Sequence, residues 1–330
     1  MLKQIKNHFI MTPIILVVIV LSLVVSIQSV SGYNTEETEE EQQQLLSILS
    51  TRNVPIFFPA DITKLVSDTI TKFDKNKTCP SDIAIYIHGF NKSKDDAGEE
   101  FNRIQTALNL THSTIPLIGF SWDSKVPWQQ AKVNAKTSGE ELAKFIYEFK
   151  DDNNCPQTNI RIIAHSLGAS VVDNALTNLD TYLNAKTNTN SKIIKSVDLL
   201  GAAISNKLIA NNSALGDAIE NIVVNFTNLY SSKDDGLEIN RYIEKHNPLG
   251  LVGAAKGTEH LNYNDKNVTS ELPPISDADG DGNLEECFED ISPVKGWGDN
   301  HCGYIGFRQP FSNSLLDDGA IDVVVEQWKS

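Results

Sequence analysis

Basic side chains are in short supply in this chain. Lys and Arg number 28 against 43 Asp and Glu, which leaves a formal net charge of −15 over 330 residues. So acidic a surface repels phosphate backbones and anionic headgroups, and so argues against nucleic acid and anionic membrane surfaces as partners. It favours no particular substrate. Cysteine is scarce too: Cys79, Cys155, Cys287 and Cys302 are the only four. What is plentiful is apolar residue, at 40% of the chain, enough for one large domain with a real core.

The N-terminus has its own pattern. Lys3 and Lys6 precede an apolar run from Ile10 to Ile27, and the small residues Ser29 and Ser31 follow. That is a basic region, an apolar region and a cleavage site, so residues 1–32 are expected to be a signal peptide. The run is nearly long enough to span a bilayer, so an uncleaved membrane anchor is the competing expectation. Either way the chain is expected to be exported, and secreted or held at the cell surface. Residues 33–50 then form an acidic, Gln-rich flexible linker (Glu36, Glu37, Glu39, Glu40, Glu41). Four cysteines in an exported chain suggest disulfides. Asn-X-Ser/Thr sequons at Asn76, Asn91, Asn109, Asn211, Asn225 and Asn267 fit the same compartment, as in a glycoprotein.

Within residues 51–330 strands alternate with helices. Val54–Phe58 is a candidate short strand, and Ile62–Phe73 has helical spacing. Asp82–Ile87 is a buried strand ending in His88-Gly89-Phe90, and Glu99–Leu108 is helical. Pro116–Trp122 is the next strand, with Trp122 and Trp128 lining a cleft or packing under a loop. Ala131–Phe149 is a long amphipathic helix. Ile193–Leu200 and Asn221–Leu229 are strands, and Leu315–Trp328 is the last helix. This alternation predicts an α/β fold with a mostly parallel sheet and helices on both faces.

The central motif is Ala164-His165-Ser166-Leu167-Gly168. An apolar strand (Ile160–Ala164) runs into it, and helical spacing (Val171, Val172, Ala175, Leu176, Leu179) runs out. A Ser at the apex of a strand–helix turn, with small residues two positions either side, is a nucleophile elbow. The small residues let strand and helix close up, and the helix N-terminus favours developing negative charge. Ala164 stands where Gly is more usual.

From about Asp82 onward the chain resembles the α/β-hydrolase superfamily, and its elbow is similar to that of lipase- and esterase-like serine hydrolases. The resemblance implies several further assignments. Ser166 would be the nucleophile. The N–H groups of Phe90 and Leu167 would form the oxyanion hole. The acid would follow the strand ending at Leu229, which makes it Asp234, with Asp235 the close alternative. The histidine would be His301, in a Gly-rich loop before the last helix, with His260 the runner-up and His246 too soon after the acid. His88 would be structural. The strands after Cys79 and Cys155 would be parallel neighbours, so these cysteines would pair, leaving Cys287 with Cys302.

The segment from residue 236 to 300 is unusually long for the resembled fold. Leu249–Ala255 is small and apolar, a candidate cap or lid. Asp277, Asp279, Asp281, Asn283 and Glu285 match the early positions of an EF-hand-type calcium loop, with Gly282 at the turn. Phe288 replaces the usual twelfth-position Glu, so the loop is either a structural calcium site or a solvated acidic turn. Catalysis itself needs no cofactor. The expected function is hydrolysis of a small-molecule or lipid carboxylic ester through an acyl-enzyme. A peptidase or thioesterase on the same fold, or a non-catalytic surface binding protein, are the alternatives. Oligomeric state is not legible.

Overall fold

The computed structural model describes residues 48–50, 52, 59–73, 79–151, 153–187, 192–258, 260–272, 299–308, 315–317 and 319–329. All lie within the compact unit Ser47–Ser330. The expected leader, most of the linker, the candidate strand Val54–Phe58, the Asp277–Glu285 loop and Cys287 lie outside the described residues. Among the described residues, no helix is long and apolar enough to cross a membrane.

Seven parallel strands form the sheet: β1 (Ile48–Ser50), β2 (Asp82–Ile87), β3 (Leu117–Ser121), β4 (Asn159–His165), β5 (Ile194–Leu200), β6 (Val223–Tyr230) and β7 (Tyr263–Asn267). Their order across the sheet is β1-β3-β2-β4-β5-β6-β7. The helices are α1 (Pro59–Phe73), α2 (Lys94–Leu110), α3 (Trp128–Phe149), α4 (Gly168–Thr187), α5 (Ala214–Ile222), α6 (Asp235–Glu244), α7 (Leu249–Val252) and α8 (Ile321–Trp328). Parallel strands need long crossovers, and helices supply most of them. Ile83 to Ile87 is buried throughout, as a parallel strand covered on both faces must be.

Alternate residues of β4 serve opposite faces of the sheet. Ile160, Ile162 and Ala164 join one core with α1, α3, α4 and α5. Ile163 joins the other with α2, α8 and Tyr304. Cys79 and Cys155 form a disulfide, with Cα atoms 5.5 Å apart, just ahead of β2 and β4. Cys302 is disulfide-bonded as well.

Four expectations need correction. Ile48–Ser50, placed in the linker by sequence, is an edge strand paired with β3. The segment from 236 is no simple insert, because it supplies α6, α7 and strand β7. Leu249–Ala255 is not a lid. Leu249 is fully buried, and its N–H donates to Ile204 O (2.8 Å) while that of Gly250 donates to Ala202 O (2.9 Å). A Cβ on Gly250 would lie 2.1 Å from Ala202 N, so the turn is wedged against the chain leaving β5. Finally, the last helix starts at Ile321 rather than Leu315. Leu315–Asp317 is a short strand, and Gly319 has φ +60°, which breaks the run.

Candidate active site

The site is built at the carboxyl ends of β2, β4, β5 and β6. Ser166 follows β4 with φ +55°, a left-handed conformation that costs on the order of 1–2 kcal/mol for a residue with a side chain. Three main-chain bonds hold it there. Ser166 N–H donates to Leu200 O (3.0 Å), and Ser166 O accepts from Ala169 (3.1 Å) and Ala203 (3.1 Å). The small neighbours have measurable reasons. A Cβ on Gly168 would lie 2.7 Å from Ile87 O, and one on Gly89 would lie 2.9 Å from the Ser166 Cβ. Helix α4 and the end of β2 therefore close directly on the serine.

Ser166 Oγ–H donates to His301 Nε2 at 2.7 Å. His301 Nδ1–H donates to Asp234 Oδ2 at 2.8 Å. Exposure falls along this series, from 6% for Ser166 to 2% for His301 and 0% for Asp234, so access is from the serine end. Asp234 is also the N-cap of α6: its Oδ1 accepts from Leu237 N–H at 2.8 Å. The cap holds one oxygen and leaves the other for the imidazole, so of the two adjacent aspartates it is Asp234 that bonds His301. Asp235 is already the first residue of the helix. Burial, with Asp234 and Glu238 beside it, raises its carboxyl above the usual range.

His301 sits in a short 3-10 turn, Asp299–His301. Asn300 ties that turn to the acid's loop, its Oδ1 accepting from Asp235 N–H (3.1 Å) and its Nδ2 donating to Lys233 O. The other two histidine candidates stand elsewhere. His260 bonds Ile209 O through Nε2 (3.0 Å), and His246 lies just past α6.

Phe90 and Leu167 follow β2 and the elbow serine respectively. Among the described residues neither backbone N–H has a protein acceptor. Phe90 packs edge-on against Trp128, ring centroids 5.0 Å apart. Trp128 Nε1 in turn donates to Glu244 on α6 at 2.5 Å. Trp122 is fully buried and donates to His88 O at 2.9 Å, so it packs rather than lining a cleft. The arrangement can pass a proton from a hydroxyl to an imidazole next to two N–H donors that have no acceptor among the described residues.

This is an α/β hydrolase. A family model described as an alpha/beta hydrolase of unknown function (DUF900) matches residues 65–285, and the chain belongs to that family. No curated protein matches the chain. The match takes in Ser166 and Asp234 of this hydrolase, whereas His301 lies beyond its C-terminal end.

Two further residues at the hydrolase's site are given no role by the elbow motif. His165 is 2% exposed. Its Nε2–H donates to His301 O at 2.8 Å, and its ring lies 4.8 Å from the His301 ring. Burial, then the neighbouring His301, lower its imidazole to about 4, so it is neutral at pH 7. Tyr304 is fully buried; burial and the Asp234 carboxylate push its phenol well above the usual range. A Cβ on Gly201 would meet both Tyr304 (2.7 Å) and Asp234 Oδ2 (3.2 Å), so that glycine lets the tyrosine back the acid. A histidine inside AHSLG and a tyrosine three residues after His301 were visible in the sequence, but only folding brings them together.

The described residues contain no group of three or more His, Cys, Asp or Glu side chains that could hold a metal. The calcium candidates Asp277, Asp279, Asp281, Asn283 and Glu285 are outside them.

Proposed function

We propose that this hydrolase cleaves carboxylic esters through an acyl-enzyme on Ser166. The observation that carries the reading is the hydrogen-bonded series Ser166–His301–Asp234 beside the N–H groups of Phe90 and Leu167, which have no acceptor among the described residues. A serine hydroxyl is a weak nucleophile at neutral pH and needs a base within reach. His301 takes its proton as Oγ attacks the ester carbonyl carbon. Asp234 orients the imidazole and stabilises its charged form. The carbonyl oxygen becomes an oxyanion between the two N–H donors. The C–O bond to the alcohol then breaks, and His301 returns the proton to that alcohol. Water repeats the sequence on the acyl-enzyme and releases the acid.

The reading stops at carboxylic esters. The candidate cap, Leu249–Ala255, is packed into the fold rather than over the site, so it favours no acyl-chain length. Export is part of the proposal. The Cys79–Cys155 disulfide is compatible with an oxidising compartment. Calcium at Asp277–Glu285 stays a proposal from residue spacing alone.

The test is labelling with a fluorophosphonate, followed by peptide mapping and a series of p-nitrophenyl esters. We expect one adduct, on Ser166, absent from Ser166→Ala. Ester turnover in His301→Ala should fall by about 10⁴-fold or more. Preferential cleavage of amides or thioesters would move the protein to the peptidase or thioesterase reading. A folded protein that takes no label would leave a binding protein on a hydrolase fold.

A further inference from the structure

The loop carrying Phe90 is held from a distance. Asn91 within it has φ +59°, a conformation that needs anchors. On one side the anchor is Ser124, whose O accepts from Asn91 N–H (3.2 Å) and whose Oγ accepts from Lys92 N–H (3.1 Å). On the other side it is Arg52, on the turn after β1.

The Arg52 side chain is only 10% exposed. Its Nε donates to Ser121 Oγ at 2.7 Å, at the end of β3. Its Nη2 donates its two N–H groups to Lys92 O (3.0 Å) and Ser93 O (3.0 Å) and stands 3.3 Å from His88 Nε2. Asp123 stands 4.0 Å from Nη1. The planar fork of a guanidinium suits several fixed acceptors at once, and a lysine ammonium does not.

The contact to His88 reaches the reacting end. Trp122 N–H donates to the single lone pair of His88 Nε2 at 3.1 Å, and the Arg52 guanidinium, also a donor, stands 3.3 Å from the same nitrogen, so the ring proton must be on Nδ1. That Nδ1–H donates to Gly89 O at 2.9 Å. In a trans peptide the carbonyl and the following N–H point opposite ways. Holding Gly89 O toward His88 therefore turns Phe90 N–H outward, where it has no acceptor among the described residues. Gly89 abuts Ser166 directly. Burial, with Arg52 and Lys92 near, lowers His88 to about 4, which agrees with a neutral ring of one tautomer.

We propose that Arg52 is a positioning residue for the oxyanion hole: through His88 and the Lys92 and Ser93 carbonyls it fixes the peptide that presents Phe90 N–H. The inference rests on the ester-hydrolase reading, and it makes the segment upstream of the family match part of the working site.

Arg52→Ala and Arg52→Lys in the full chain test it, with kcat, KM, thermal midpoint and fluorophosphonate labelling rate measured on each. We expect kcat to fall about 10–100-fold in Arg52→Ala, somewhat less than loss of an oxyanion donor outright. KM should stay within about two-fold, because a misplaced oxyanion donor weakens the transition state rather than ester binding. Added guanidinium should restore part of the kcat of Arg52→Ala but leave the wild type unchanged. If Arg52→Ala does not fold, Arg52→Lys carries the test, with the same split of kcat from KM in folded protein. Unchanged kcat in a folded variant overturns the proposal, as does a kcat loss that only tracks the unfolded fraction. A wild type that takes no fluorophosphonate sinks the ester-hydrolase reading, and this inference with it; a labelled wild type with indifferent Arg52 variants sinks this inference alone.

Discussion

The two faces of the sheet are buried by different means. On the face covered by α1, α3, α4 and α5 the strands bury a dry layer: Ile83, Ile85, Ile87, Ile160, Ile162, Val197, Leu199 and Phe226 meet aliphatic and aromatic helix residues. The carboxylates there, buried Glu141 and half-buried Asp173, belong to α3 and α4 rather than to the strands. Gly139 lets α3 approach α4 so closely that a Cβ there would lie 2.6 Å from the Asn174 Cβ. The face under α2 and α8 keeps polar groups inside. Tyr86 OH donates to the buried Glu100 at 2.6 Å, and Lys92 pairs with the same carboxylate at 2.8 Å. Burial raises that carboxyl, but Lys92, His165 and His88 outweigh it and hold it at about 2. Further along, Asp198 accepts from Trp328 Nε1 (2.9 Å), and Arg161 lies over the Trp328 ring at 5.1 Å. Dry burial stabilises whatever the pH, while buried ionisable groups tie stability to protonation. The polar face is also the one that reaches the site, through His165 and Tyr304.

Ile162→Ala is the strongest probe of this contrast. Ile162 is fully buried at the centre of the sheet, on the dry face. Removing its side chain should cost about 2–5 kcal/mol through lost burial and the cavity left behind. Denaturant unfolding should show the same loss at pH 5 and pH 8. A loss that changes strongly with pH would mean that the dry face is coupled to charge after all.

The sequence announces the dry face and the elbow because both are local. β2 and β4 are rich in Ile, with Arg161 the one charged residue between Ile160 and Ala164, and AHSLG carries its own turn chemistry. Sequence alone leaves Asp234 and Asp235 side by side; the N-cap geometry that turns Asp234 toward His301 exists only once α6 forms. Three elements were hidden for physical reasons. β1 is three residues at the end of a Gln-rich stretch, and it is a strand because β3 offers it an edge. β7 reads Tyr-Asn-Asp-Lys-Asn, polar as an exposed edge strand usually is, so no apolar period marks it. Arg52 is a lone basic residue 36 positions before His88, and nothing short-range hints that the two meet.

Asp198→Asn tests the polar face with a smaller effect. Asp198 is 1% exposed, and burial pushes its carboxyl up to about 7 against the pull of Trp328, Ser196 and Arg161. Its folded pKa is above the unfolded value, so its contribution is fully present at acid pH and is lost as pH rises through about 7. Asn keeps an acceptor for Trp328 and cannot ionise. The variant should therefore gain on the wild type by about 2 kcal/mol between pH 5 and pH 8, since a tenfold change in proton affinity is worth roughly 1.4 kcal/mol. Thermal or urea unfolding at both values reads it directly. An equal difference at the two pH values would show that Asp198 is charged throughout and fully compensated.

The smallest effect is a titration that should fail to occur. His88 and His165 are both buried, and burial is the main cause that lowers each to about 4. Folding favours their neutral forms, so the stability they contribute is present above the unfolded value near 6.5 and is lost as pH falls through about 4. For His88 the structural reason is explicit. Its Nε2 lone pair already receives Trp122 N–H, with the Arg52 guanidinium 3.3 Å away, and a proton there would set donor against donor. His165 has the His301 ring 4.8 Å away, which becomes imidazolium during the proposed reaction, and a second charge beside it would oppose that step. Imidazole resonances of both residues should hold still from pH 8 to pH 5 and move only near 4. A midpoint near 6.5 for His88 would mean that its Nε2 is free to take a proton. The link from Arg52 to the Phe90 peptide would then be broken, and the polar face would support the site by packing alone.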